Sequence, residues 1–214
     1  MRPRHGGYAR AMPAAARTLL AIASLAGVNV LAGRLITGPL RDLPVEHRLN
    51  ADLRRLGGPR THQVAEAISR SSDTSRAVAL GLALTATLAA RGGGRAAGVP
   101  GLAMAMASAT HVIASSLIGR PRPALERLGT VQPTSSFPSG HVGAMTALAT
   151  VLARMATPLP RPLRVVVRTG LIGYLVALGW SRLFNGQHYA SDVLAGYLNG
   201  VVCARLAQDA LTDR

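Results

Sequence analysis

Six uncharged, largely apolar stretches follow one another along this 214-residue chain, with arginines sitting mostly at their borders. They are Thr18–Gly33, Ala77–Ala90, Ala96–Gly119, Val142–Ala153, Thr169–Trp180 and Val193–Ala204. Only Ala96–Gly119 reaches the ~20 apolar residues that span a bilayer unaided. Several others reach that length if Arg154, Arg168 and Arg205 extend back to the interface from the last turns. Each short run alone would also suit a buried helix of a soluble bundle. Six in a row, rich in Ala and Gly and poor in large side chains, fit helices packing closely in lipid. The expected fold is therefore all-α, a bundle of six transmembrane helices. It forms one domain over residues 18–210, between a basic cytoplasmic tail (1–17) and a short C-terminal tail (211–214).

The charge pattern narrows the function classes. All 24 basic residues are Arg, against 9 acids, for a formal charge of +15. Such an excess suggests nucleic acid, but binders of nucleic acid gather their charge on one face or arm. Here Arg17 and Arg34 flank the first apolar run, as charges do where a helix meets lipid headgroups. Aromatic residues, at 3%, are too few for a module that stacks bases. A single cysteine, Cys203, excludes an internal disulfide and any cysteine-based zinc site. Met1–Arg10 reads as a basic tail, since no small-residue cleavage site follows before Arg34.

Between the first two runs lies Arg34–Arg76, broken by Pro39, Pro44, Gly57, Gly58 and Pro59. Within it Val45, Leu49, Leu53 and Leu56 recur at helical spacing among charged residues. That pattern suits a helix lying in the membrane interface. It suits equally a surface helix on an extramembrane loop. With the N-terminus in the cytoplasm, twelve arginines fall on each side. The short connections Arg91–Arg95 and Pro158–Arg168, however, are basic without a single acid, which is the signal that counts in short loops. This orientation puts Cys203 near the cytoplasmic face and Gly129 outside.

Three segments put polar groups at helix ends. Gly119-Arg120-Pro121-Arg122-Pro123 closes the third run, Ser136-Phe137-Pro138-Ser139-Gly140-His141 opens the fourth, and Ser181–Asp192 opens the sixth. Alternating helices bring all three to one side of the membrane. Arg120, Arg122 and Arg182 offer guanidinium forks suited to phosphate oxygens. Ser139 and Gly140, at a helix start, offer backbone N–H groups and the helix dipole. His188 and Asp192 are four residues apart, hence on one face of a helix, where the carboxylate can fix the tautomer and leave the other nitrogen nucleophilic. His141 supplies a second imidazole to protonate a leaving alkoxide. A zinc site from His141, His188 and Asp192 is conceivable, but three arginines would repel the cation. No metal and no cofactor is expected. Isolated histidines such as His62 and His111 read as ordinary polar residues at an interface.

Arg122-Pro123, Pro138-Ser139-Gly140-His141 and Ser181-Arg182 with His188 and Asp192 resemble the three signature motifs of the type 2 phosphatidic acid phosphatase (PAP2) superfamily. That family includes lipid phosphate phosphatases, bacterial undecaprenyl pyrophosphate phosphatases and vanadium haloperoxidases. The resemblance implies His188 as a nucleophile that becomes a phosphohistidine, Asp192 as its orienting acid, and His141 as acid and later base. It implies that Arg122, Arg182, Ser139 and Gly140 bind the phosphoryl oxygens. The family pattern begins with Lys where this chain has Ser115, a residue that cannot supply the charge; Arg120 is expected to take over part of that role. The implied protein is a multi-pass phosphatase of the cytoplasmic membrane with its site outside. It would hydrolyse a lipid phosphate monoester or pyrophosphate, polyprenyl substrates ahead of phosphatidic acid or phosphatidylglycerophosphate. The competing reading is a phospholipid-binding or lipid-transport protein that keeps the pocket without turnover. The expected partners are the lipid substrate and membrane lipids, with no nucleic acid.

Overall fold

The computed structural model describes residues 13–40, 43–129 and 133–212. Most of the expected basic tail and the last two residues of the expected C-terminal tail lie outside the described residues. Those described form eight α-helices: α1 (Ala14–Thr37), α2 (Pro44–Arg55), α3 (Pro59–Ser71), α4 (Thr74–Ala90), α5 (Val99–Ile118), α6 (Gly140–Met155), α7 (Arg161–Phe184) and α8 (Ala190–Thr212). A 3₁₀ turn, Gly94–Gly98, leads into α5. The six apolar runs fall within α1, α4, the 3₁₀ turn with α5, α6, α7 and α8. Proline near the start of α2, α3, α5 and α7 occupies positions whose N–H has no intrahelical acceptor, with φ already set for a helix. Gly119 closes α5 at φ 66°, a left-handed conformation that glycine adopts without a Cβ clash.

Three segments, Ala16–Thr37, Gly94–Ile118 and Arg161–Phe184, are long and apolar enough to cross a membrane, and Thr74–Ala90 is a shorter apolar helix. Their outer faces carry exposed Leu19, Leu31, Leu80, Leu117, Val166, Ile172 and Val176. Exposed apolar surface on this scale needs lipid or protein against it.

The core is built of small residues, which lets backbones approach closely. Gly196 and Gly200 of α8 meet α6 so tightly that a Cβ on Gly200 would lie 2.5 Å from the Gly143 carbonyl oxygen. This contact sets the start of α8 beside the start of α6, and Ser139 N–H donates to the Asp192 carbonyl at 3.0 Å. Two of the polar segments are thereby brought together. Asn29 of α1 and Asn199 of α8 exchange side-chain amide bonds (2.8 and 3.2 Å) within the bundle.

Helix α2 turns its polar side to the protein. Its buried side chains are the polar Glu46 and Asn50. Of the apolar residues at helical spacing, Val45, Leu49 and Leu56 are exposed and Leu53 is half-buried. The helix presents its polar face to the protein because that face has partners there, described next.

Candidate active site

The chain between α7 and α8 folds back on itself, with Gln187 N–H and His188 N–H both donating to the Arg182 carbonyl. This buries His188 to 1% exposure. Its Nδ1 lies 2.8 Å from the Ser136 carbonyl, which can only accept, so Nδ1 carries the proton and Nε2 the lone pair. Nε2 is buried, has no protein partner among the described residues, and belongs to a residue lining the main cavity. Burial pushes the His188 pKa down to about 4, with Arg182 and Arg122 adding to the effect and Asp192 opposing it. The imidazole is neutral at pH 7.

The expected tautomer-fixing bond from Asp192 is replaced in part. Asp192 Oδ2 stands 3.7 Å from His188 Nδ1, while the direct hydrogen bond goes to Ser136. The carboxylate is itself held by Tyr189 N–H (2.8 Å) and Ser136 Oγ on Oδ2, and by Arg120 on Oδ1 (2.6 Å). Asp192 thus supports the loop that carries His188 as well as the ring.

Arg120, expected among the phosphate ligands, is placed elsewhere. Its guanidinium lies fully buried between Asp192 and Glu46 of α2 (3.0 Å), donates to Ser191 Oγ (2.8 Å), and packs 4.2 Å above the Tyr189 ring. Burial works against its charge, but the two carboxylates outweigh it and raise its pKa above the ordinary value. Charge alone could not show whether this arginine would face a ligand or carboxylates of its own chain.

The other predicted residues converge. Arg122 donates through Nη1 to the Gln187 carbonyl (2.7 Å) and through Nη2 to the Thr134 carbonyl (3.1 Å), leaving buried Nε without an acceptor. Arg182 donates through Nη1 to Ser69 Oγ of α3 (2.6 Å), leaving Nε and Nη2 without one. Ser139 Oγ and His141 Nε2 are likewise buried and unpartnered among the described residues. Of the two amides expected to face an anion, Ser139 N–H is bonded to Asp192, and Gly140, which opens α6, keeps a first-turn N–H with no intrahelical acceptor. Unsatisfied buried donors cost about 1–3 kcal/mol each, more when charged. Several donors around two free imidazole nitrogens therefore define a pocket for an anion with several oxygens. The donor set does not suit a cation, because both guanidinium groups act on both histidines.

Arg122, Gly140, His141 and His188 line one end of a cavity of about 570 Å³ whose other walls are α4 and α5. Those walls include Val78, Leu82, Met104 and Ala105.

Two layers of the site escaped the sequence reading. Helices α2 and α3 clamp the loop carrying His188: Asn50 donates to the carbonyls of Leu183 (2.8 Å) and His188 (3.0 Å), and Arg54 to that of Phe184 (2.9 Å). Glu46, Asn50 and Arg54, spaced by four, form the polar face of α2, a spacing visible in the sequence without any sign of its partners. His111 also lines the cavity, its Nδ1 2.7 Å from the Pro138 carbonyl. Ser115 is buried, with its hydroxyl turned to the Val112 carbonyl of its own helix (3.2 Å).

A helical protein with apolar membrane-length segments and a buried histidine–arginine anion site at the helix ends has the make-up of a membrane phosphatase. A family model described as the PAP2 superfamily matches residues 96–213, more than half of the chain, and the chain belongs to that superfamily. It is a metal-independent phosphatase of the PAP2 type. Among solved structures, the fold is similar to a transmembrane PAP2-type phosphatidylglycerolphosphate phosphatase from Bacillus subtilis. That match has a TM-score of 0.72 at 19% identity, covering 90% of this chain and 93% of that one. It is also similar to Aquifex aeolicus LpxE, with a TM-score of 0.58 at 20% identity over 77% of this chain and 95% of that one. No curated protein sequence matches the chain at significant similarity.

Proposed function

We propose that this chain hydrolyses a lipid phosphate monoester or pyrophosphate through a phosphohistidine, with polyprenyl phosphates and pyrophosphates ahead of phosphatidic acid and phosphatidylglycerophosphate. The observation that carries the reading is the set of buried donors without acceptors, Arg122 Nε, Arg182 Nε and Nη2 and Ser139 Oγ, gathered with His188 Nε2 and His141 Nε2. The cavity lined by Arg122, His141 and His188 continues into an apolar groove suited to a lipid tail. In the first step His188 Nε2 forms a bond to phosphorus, the bridging P–O bond breaks, and the departing oxygen takes a proton from His141. In the second, His141 takes a proton from water, the hydroxide oxygen attacks phosphorus, and the N–P bond breaks to release phosphate. Arg122, Arg182, Ser139 and the Gly140 amide hold the phosphoryl oxygens throughout, and charge developing on them is stabilised by donors already in place. Purified protein in detergent should release inorganic phosphate from a lipid monophosphate or pyrophosphate with undiminished rate in excess EDTA. Binding without release across the whole panel would overturn the reading in favour of a lipid carrier.

Six helices, α1 and α4–α8, are proposed to span the cytoplasmic membrane, with the site on the outer side. The exposed Val45 and Leu49 of α2, with Leu56 just beyond its end, would then rest in the outer interface. Cys203 is fully buried and cannot report topology. In a Cys203→Ala background, Ala124→Cys should react with a membrane-impermeant thiol reagent on intact cells, whereas Pro158→Cys should react only after lysis. The reverse pattern inverts the orientation.

A further inference from the structure

Helix α5 contains a single titratable side chain, His111, and it faces the cavity. Its ring lies over Gly140: a Cβ on residue 140 would stand 2.7 Å from the ring Cδ2 and 3.0 Å from Nε2. Position 140 is thus kept bare as much for this imidazole as for the anion. Because Nδ1 meets the Pro138 carbonyl at 2.7 Å, Nδ1 holds a proton, and Nε2 is the edge left for a ligand.

The level at which His111 stands is informative. Toward the helix ends the lining is polar, with Arg122, Thr134, His141 and His188. One turn deeper on α5 comes Ser108, then Ala105, Met104 and Gly101, facing Gly81 and Leu82 of α4. His111 therefore marks the boundary between the anion chamber and the apolar groove. The transferring phosphoryl group sits at His188 Nε2, so whatever it is attached to must pass this boundary on its way to the tail. In a lipid monophosphate that part is an uncharged ester carbon. In a lipid pyrophosphate it is a second phosphate carrying an anionic oxygen. A pyrophosphate that enters carrying a proton can place it on Nε2 of a ring already protonated on Nδ1, and the resulting imidazolium makes a charge-assisted bond to the second phosphate's oxygen.

Building on the phosphatase reading above, we infer that His111 binds the second phosphate of a lipid pyrophosphate and thereby biases the enzyme toward pyrophosphate over monophosphate substrates. It is a binding residue, distinct from His141, which meets the leaving oxygen. Ser115, one turn further along the same face, is hydrogen-bonded to its own helix and carries no charge, so on α5 His111 alone can become cationic.

The test compares kcat/KM for a polyprenyl pyrophosphate with that for the corresponding monophosphate, in the unchanged protein and in His111→Ala and His111→Gln. The ratio should fall about 10- to 100-fold in His111→Ala, chiefly through KM for the pyrophosphate, and less in His111→Gln, which keeps a neutral donor. A packing role beneath Gly140 would lower both substrates alike and leave the ratio unmoved, and that result overturns the inference. Affinities for methylenediphosphonate and inorganic phosphate provide a second measure, since a ratio of affinities that falls in His111→Ala supports the assignment and one that holds rejects it. Should the unchanged protein hydrolyse neither lipid, the phosphatase reading fails, and these affinities still decide the role of His111.

Discussion

His188→Ala should abolish phosphate release from every substrate, while His141→Ala should lose activity in proportion to how poor the leaving group is. With His188 gone no N–P bond can form, whatever the ester. Its Nδ1 is held by the Ser136 carbonyl, and its Nε2 is buried, carries the lone pair and has no protein partner among the described residues, as a nucleophile toward phosphorus requires. His141 has a different task. An alkoxide leaving a lipid monophosphate needs a proton as it departs, and loss of the acid should cost roughly 100- to 10,000-fold. A nitrophenolate leaves without that help, so the first chemical step with p-nitrophenyl phosphate should be nearly spared in His141→Ala. Water attack on the phosphohistidine still lacks its base, and rapid-mixing traces should show a burst of nitrophenol followed by slow turnover. Turnover retained in His188→Ala, together with a lost burst in His141→Ala, would reverse the two assignments.

Removing Arg120 should unfold the site end of the protein more than it affects substrate binding. The Arg120, Glu46 and Asp192 side chains are 0%, 6% and 0% exposed, so both carboxylates are out of water and face each other across one guanidinium. Breaking a buried ion pair from one side costs about 3–5 kcal/mol, because the partner keeps its desolvation penalty. Arg120→Met should therefore lower the thermal midpoint sharply in detergent. Adding Glu46→Gln to Arg120→Met removes one stranded charge, while Asp192 keeps its bonds from Ser136 and Tyr189. The double variant should be more stable than Arg120→Met alone. Additive losses from the two substitutions would show that the groups do not interact and would remove Arg120 from its assigned place.

The helices were legible because each is apolar on nearly all sides, whether it meets lipid or other helices, and six such runs needed no tertiary knowledge to find. What α2 packs against was not. Periodicity gives the two faces of a helix, and it left a helix in the interface and a surface helix on a loop equally open; the partners of its polar face lie far away in the chain. His188, Asp192, His141, Arg122 and Arg182 were legible because motif spacing at helix ends is local. Glu46, Asn50 and Ser69 were not, since their bonds to Ser191, His188 and Arg182 cross 145, 138 and 113 positions. His111 was passed over because a lone histidine on an apolar helix carries no signal until its neighbours in space are known.

The clamp of α2 on the last loop also sets an order in time. Glu46 and Ser191 are 145 positions apart. At about 5–20 residues per second of synthesis, Glu46 leaves the ribosome roughly 7–30 s before Ser191 does. Arg120, made midway through that interval, has Glu46 at hand but lacks Asp192 until its end, and His188 is absent for nearly all of it. The nascent chain thus enters the bilayer as an inert set of helices, unable to strip phosphate from the lipids around it. Synthesis interrupted before α8 should yield a fragment that has His188 but lacks Asp192, whose bonds to Arg120, Ser136 and Tyr189 hold the loop, so hydrolysis is expected only once the final helix arrives.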